Sequence, residues 1–160
     1  MKKNEEYIVT CIDDTDLNSG VVKIDDMVVF VPNLLIGEKA KIKIVKVNKK
    51  YAFGIIIELL KPSINRQELT CEVAKTCGGC QLQHMSYAYQ LDYKYKHVKK
   101  LFDDIEVKPI LGMDNPWYYR NKAQFPVKIK DGKVQMGFYR QHSNDVVTCK
   151  ECKIQDHVIN

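Results

Sequence analysis

Hydrophobic and polar residues alternate through the first third of the chain, and the alternation then gives way to other patterns. Tyr7-Ile-Val-Thr-Cys-Ile12, Val21-Val-Lys-Ile24 and Met27-Val-Val-Phe-Val31 are short β-branched runs, the last two joined at Asp25-Asp26 and closed by Pro32. Gly37-Glu38 opens a longer hairpin, in which Lys39 to Val47 pairs with Ala52 to Leu60 across Asn48-Lys49-Lys50-Tyr51. In its first arm Lys39, Lys41 and Lys43 share one face and Ala40, Ile42 and Ile44 the other, but Val45-Lys46-Val47 reverses that parity. A β-bulge near Ile44-Val45 reconciles the two phases. Five short strands with such a bulge predict a small closed barrel of the oligonucleotide-binding type over residues 1–62.

Lys61 to Gln67 has breaker and polar residues without a period and reads as the link to a second region, 63–160, of α+β character. There Ser86 is placed to cap a helix running to about Asp104, with Tyr87, Leu91, Tyr95, Val98 and Leu101 as its buried stripe. Trp117 to Lys130 and Lys133 to Arg140 flank the hairpin signal Asp131-Gly132, and Asp145 to Thr148 forms a third extended piece. Pairing among these strands would return Cys149 and Cys152 to the cysteines earlier in the chain. The expected fold class is mainly β with α+β, a barrel followed by a small mixed domain.

At 160 residues and 45% hydrophobic, the chain is globular and can hold one ordinary domain or two small ones. No apolar run approaches the roughly 18 residues of a membrane helix, and Met-Lys-Lys-Asn-Glu-Glu lacks the apolar core of a secretion signal. A cytoplasmic monomer with no membrane partner is the expectation. Six cysteines in a reducing compartment favour metal over disulfides. The net charge of +5 is gathered as lysines in a few segments, which makes a polyanionic partner plausible.

Cys71, Cys77 and Cys80 follow a C-x5-C-x2-C spacing with Gly78-Gly79 inside the tighter loop, a pattern that converges thiolates on one centre. A fourth ligand has three candidates, His84, Cys149 and Cys152. Four thiolates are the usual ligands of a 4Fe-4S cluster. Zinc competes, because Cys77-x2-Cys80 and Cys149-x2-Cys152 have the paired-knuckle form, although 68 residues separate the pairs and Cys71 is then left over. The C-x3-C-x2-C triad of radical enzymes is absent. His84 reads as a residue that hydrogen-bonds the metal loop, and Cys11 as a small core residue.

Thr76-Cys-Gly-Gly-Cys-Gln-Leu-Gln-His84, Tyr118-Tyr-Arg-Asn-Lys122 and Met136-Gly-Phe-Tyr139 resemble the bacterial RNA (uracil-5-)-methyltransferase family, of the 23S rRNA type. The early barrel resembles its TRAM domain, and the likeness extends in order through Phe30-Val-Pro32, Gly37-Glu38 and Cys152-Lys-Ile-Gln155. The resemblance implies a 4Fe-4S cluster on Cys71, Cys77, Cys80 and Cys152, with Cys149 a departure from the family pattern. It also implies S-adenosylmethionine as the cofactor of the full-length enzyme and RNA as the partner, rRNA ahead of tRNA. The family's Rossmann-like methyltransferase domain has no counterpart here, since none of the eight glycines forms a G-x-G loop. No catalytic residue and no S-adenosylmethionine-binding residue is therefore assigned, and this chain alone is expected to be inactive. Binding falls to Lys39, Lys41, Lys43, Lys46, Lys49 and Lys50 on the barrel, and to Arg120, Asn121 and Lys122 with Tyr118 or Tyr119 for stacking. A stand-alone nucleic-acid-binding module with an iron–sulfur or zinc site is the alternative.

Overall fold

The computed structural model describes residues 1–102 and 104–160 and divides into two compact units, Met1–Gln67 and Glu68–Asn160. The first is one curled sheet. Its strands are β1 (Glu6–Thr10), β2 (Asp13–Asp14), β3 (Ser19–Ile24), β4 (Met27–Pro32), β5 (Lys39–Val47) and β6 (Tyr51–Lys61), in the order β1-β5-β6-β4-β3-β2. All pairs are antiparallel except β4 with β6. The sequence suggested five strands in a closed barrel. The extra strand is β2, only two residues long, and no ladder joins the two ends of the sheet. The curl still brings them together, because Cys11 and Ile12 alone separate β1 from β2, and the Ile12 amide donates to the Val21 carbonyl of β3 at 2.9 Å.

The expected bulge is present. Between β5 and β6, Ile44 faces Gly54 and Lys46 faces Phe53, so Val45 is skipped, and two further register shifts occur at Lys39/Ala40 and Lys41/Ile42. Each adds local twist, which a six-stranded sheet needs in order to curl over its own core. That core contains Val9, Val22, Val29, Val31, Leu34, Ala40, Ile42, Ile44 and Ala52, together with Cys11, all buried. Burial pushes the Cys11 thiol up to about 11, as expected of a core cysteine.

Glu38 sits at the start of this core, fully buried, and is the unit's main buried charge. Its carboxylate accepts from the Leu35 amide at 2.9 Å, the Ser63 amide at 3.0 Å, and Arg66 Nε and Nη2 at 2.5 and 2.7 Å. Arg66 Nη2 also donates to the Asn33 carbonyl at 2.6 Å, so the segment expected to be a loose link is pinned to the barrel. Burial alone would raise the carboxyl's pKa; the bonds from Arg66, Ser63 and Leu35 outweigh it and hold the group below its ordinary value.

In the second unit, α1 (Tyr87–Lys99) begins at Ser86, whose hydroxyl accepts from the Tyr89 amide at 3.4 Å. The helix ends five residues before the expected Asp104, and Asp103 lies outside the described residues. Its buried residue is Tyr93, while Val98 and Leu101 of the expected stripe are exposed. The rest of that stripe contacts the following loop, with the Met113 amide donating to the Tyr87 hydroxyl at 2.8 Å and Tyr95 donating to the Val107 carbonyl at 3.2 Å. No helix here is long and apolar enough to cross a membrane, among the described residues.

Four short strands complete the unit: β7 (Val127–Lys130), β8 (Lys133–Met136), β9 (Phe138–Tyr139) and β10 (Val146–Val147). β7 and β8 pair across Asp131-Gly132, both at positive φ, the turn that the dipeptide foretold. The long strand expected over Trp117 to Lys130 forms only in its last four residues, because Tyr118 takes a left-handed φ of 55° and Pro126 cannot donate to a ladder. Replacing Glu38 with glutamine or alanine is expected to cost about 3 kcal/mol of stability by urea denaturation at pH 7, since it strands the Arg66 guanidinium. The folded pKa lies below the unfolded glutamate value of about 4.3, so the wild-type contribution is complete above that value and is lost as pH falls through the folded one. The acid limb of the stability curve should flatten in Glu38→Gln, and an unchanged limb would remove Glu38 from this role.

Candidate metal centre

The segment that carries the first cysteines folds by local turns. The Ala74 amide donates to the Cys71 carbonyl at 3.1 Å, and the Thr76 and Cys77 amides to the Val73 carbonyl at 2.9 and 2.8 Å. Neither Gly78 nor Gly79 takes a left-handed φ. Their use is close approach, since the Gly78 amide reaches the Tyr139 carbonyl at 2.9 Å and the Gln141 amide reaches Thr76 at 3.0 Å, forming a bridge between Cys77 and Arg140.

β9 is thus the middle of a three-part ladder. Its other edge pairs with β10, which leads directly into Cys149. Gly137 permits this pairing, because a Cβ there would overlap the Val147 carbonyl. A second short ladder holds the last cysteine: the Tyr118 amide donates to Lys153, Arg120 to Ile154 and Asp156 to Arg120, at 3.0, 2.8 and 2.9 Å. Both ladders converge, and Cys71, Cys77, Cys80, Cys149 and Cys152 line one pocket together with Gln83 and Arg120.

The donor set is entirely thiol. Among the described residues, no group of three or more cysteine, histidine or acidic side chains is gathered in a form that could hold a single metal ion. His84 is buried beside the loop and does not line the pocket. Burial pushes the Cys77, Cys80 and Cys149 thiols up, the last to about 11, and the neighbouring cysteines push in the same direction. Opposing this, the Gly79 amide donates to Cys77 Sγ at 3.3 Å, Gln83 hydrogen-bonds Cys80, and Arg120 stabilises the thiolate forms of both. Without a cation these are neutral thiols. A bound cation would reverse that logic and draw off their protons.

The expected nucleic-acid-facing residues divide. Arg120 belongs to the cysteine pocket, whereas Asn121 and Lys122 are exposed, so the three do not make one surface. Tyr118 is occupied, its hydroxyl donating to Glu151 at 3.0 Å and its ring stacked on His157 at 3.9 Å, while Tyr119 is exposed. On the barrel Lys41 is held by Glu6 at 2.7 Å, and Lys39 lies between Thr10 and Lys61. Lys46, Lys49 and Lys50 are exposed at the hairpin's far end. Residue patterns missed the parts played by Arg120 and Gln83 at the thiols; position three after Cys80 was the available signal for Gln83.

Residues 3–57 match the TRAM domain. An uncharacterized RNA methyltransferase of Clostridium tetani is 42% identical over 98% of this chain and 35% of its own length, and one of Oceanobacillus iheyensis is 47% identical over 100% and 36%. The chain therefore spans about a third of the length of the curated relatives it matches. Among solved structures, the Pyrococcus abyssi tRNA (uracil-54, C5)-methyltransferase in complex with S-adenosyl-L-homocysteine shares the fold, with a TM-score of 0.59 and 22% identity over 94% of this chain and 33% of that one. Gly137→Ala is expected to part β9 from β10, lowering stability by about 1–3 kcal/mol and speeding alkylation of Cys149. Equal alkylation rates, read by peptide mass spectrometry, would show that the ladder does not hold Cys149.

Proposed function

We propose that this chain is the N-terminal, RNA-binding and 4Fe-4S-binding portion of an S-adenosylmethionine-dependent RNA (uracil-5-)-methyltransferase, cytoplasmic and monomeric, acting on 23S rRNA. The observation that carries the reading is the joining, in one chain aligned along its length with RNA methyltransferases, of a TRAM barrel and a pocket lined by five thiols. Methyl transfer is assigned to the part of the relatives that this chain does not span. The S-adenosyl-L-homocysteine bound by the Pyrococcus abyssi neighbour supports S-adenosylmethionine as the cofactor of the whole enzyme.

Cys71, Cys77, Cys80 and Cys152 would hold the cluster, whose contribution when bound is four thiolate bonds that join two separate chain segments. The all-thiol pocket fits it, and the donors from Gly79, Gln83 and Arg120 suit its anionic sulfur. Arg120 serves that pocket, while Asn121, Lys122 and the barrel lysines take the RNA. The tRNA activity of the solved neighbour favours a second reading of the substrate, transfer RNA.

Anaerobic purification should yield a brown protein with about four irons and four sulfides per chain and an absorption band near roughly 400 nm. Cys71→Ser should abolish the iron, and Cys149→Ser should keep it. One zinc, retained in Cys71→Ser and lost in Cys149→Ser, would replace the cluster with the paired-knuckle site. Removing Lys43 and Lys46 together should weaken RNA binding and lower the slope of log K against log salt by about 0.7 for each phosphate no longer neutralised. A 23S rRNA fragment should outcompete tRNA, and the reverse order would move the substrate to tRNA.

A further inference from the structure

The outer face of the barrel carries three aromatic rings that the fold does not require. Phe30, Tyr51 and Phe53 pack at centroid distances of 5.5 to 5.9 Å, and none of the three pairs is stacked face to face. The unit already has its apolar core on the opposite face, where Val22, Val29 and Ala52 are fully buried. Tyr51 is 40% exposed, and Phe30 and Phe53 are half-buried.

Strand register sets lysines around these rings. Val21, Phe30, Phe53 and Lys46 form one row across β3, β4, β6 and β5, and Lys23, Val28 and Tyr51 form the next. Neighbouring strands lie about 4.8 Å apart, so Lys46 is one strand from Phe53 and Lys23 two strands from Tyr51. Lys49 and Lys50 occupy the turn immediately before Tyr51. Lys46 reaches its place only through the bulge, since unbroken pairing would set Val45 opposite Phe53. Among the described residues none of Lys23, Lys46, Lys49 and Lys50 makes an ion pair, in contrast to Lys41.

We propose that this face is a stacking platform for an unpaired RNA base, with the Phe30, Tyr51 and Phe53 rings under the base and Lys23, Lys46, Lys49 and Lys50 on the flanking phosphates. The inference rests on the RNA-binding reading above and adds to it the residues and the single-stranded form of the ligand. Rings accept any base by its π-face, and unpaired ammonium groups on the surrounding strands and turn supply the complementary charge. A protein occupant without matching carboxylates would leave those four charges without partners.

The test is fluorescence anisotropy of the full chain with a labelled single-stranded oligouridine of about twelve nucleotides, across a salt series. Tyr51→Ala should weaken binding roughly tenfold with the salt slope unchanged, and Tyr51→Trp should restore it. Lys49→Ala with Lys50→Ala should instead lower the slope. Phe53 is half-buried, so Phe53→Ala counts only if circular dichroism shows the wild-type fold; Tyr51→Ala and Tyr51→Trp carry the decision. Wild-type affinity in folded Tyr51→Ala overturns the platform while leaving RNA binding intact, and a change of sedimentation mass alongside that unchanged affinity assigns the face to a second copy of this chain. Failure of the unaltered chain to bind RNA at low salt removes the RNA-binding reading itself, and this inference with it.

Discussion

Scarcity of apolar core is the constraint under which the second unit is built. Of its described hydrophobic residues only Met85, Tyr93 and Ile154 are buried, in a stretch of chain longer than the barrel. Burial of three side chains offsets little of the entropy of ordering so many residues. Domains in that position need a staple. The structure gathers five of the six cysteines into one pocket by two short ladders, each only a few hydrogen bonds long. In the proposed holo form, ligation energy becomes folding energy there, and the thiols do for this unit what valine and isoleucine do for the barrel.

The barrel solves the opposite problem. It has ample apolar surface, and its difficulty is curling a sheet whose β5 is nine residues long over so small a core. Three register shifts along β5 and β6 supply the coiling. One of them also changes the chemistry of the surface, turning Val45 out of the ladder and setting Lys46 beside an aromatic row. A device of closure thereby decides which side chains face a partner. The Glu38 carboxylate organises the remaining loose chain, collecting two amides and one guanidinium from the segments before β5 and after β6.

Much of this was legible from residue order. The parity reversal at Val45-Lys46-Val47 placed a bulge near Ile44-Val45, because side chains in a strand alternate with a strict period of two, while the shifts at Lys39/Ala40 and Lys41/Ile42 left no such mark. Asp131-Gly132 marked its hairpin and Ser86 its cap, both being local hydrogen-bond and φ preferences that need no tertiary partner. The helix stripe was read less well. Tyr87, Leu91 and Tyr95 have the right spacing, but Tyr93 is the residue buried, while the loop to Met113 meets Tyr87 and Tyr95 through their hydroxyls and leaves them only partly covered. Helical periodicity identifies faces and does not rank how completely each is covered.

Sequence by itself determined the barrel's inward and outward faces, the turns, the helix start and the grouping of Cys71, Cys77 and Cys80, since each depends on spacing within a dozen residues. The extended piece before Cys149 also suggested that the late cysteines return to that group, but tertiary structure alone decided that Arg120 turns to the thiols while Asn121 and Lys122 stay in solvent, and that Tyr118 is spent on Glu151 and His157. It alone set Lys46 in a row with Phe53 and Phe30. The physical reason is common to all of these. Each results from pairing between segments far apart in the chain, where single backbone bonds such as Arg120 to Ile154 fix which side of a strand is turned to the pocket, and no local preference carries that information.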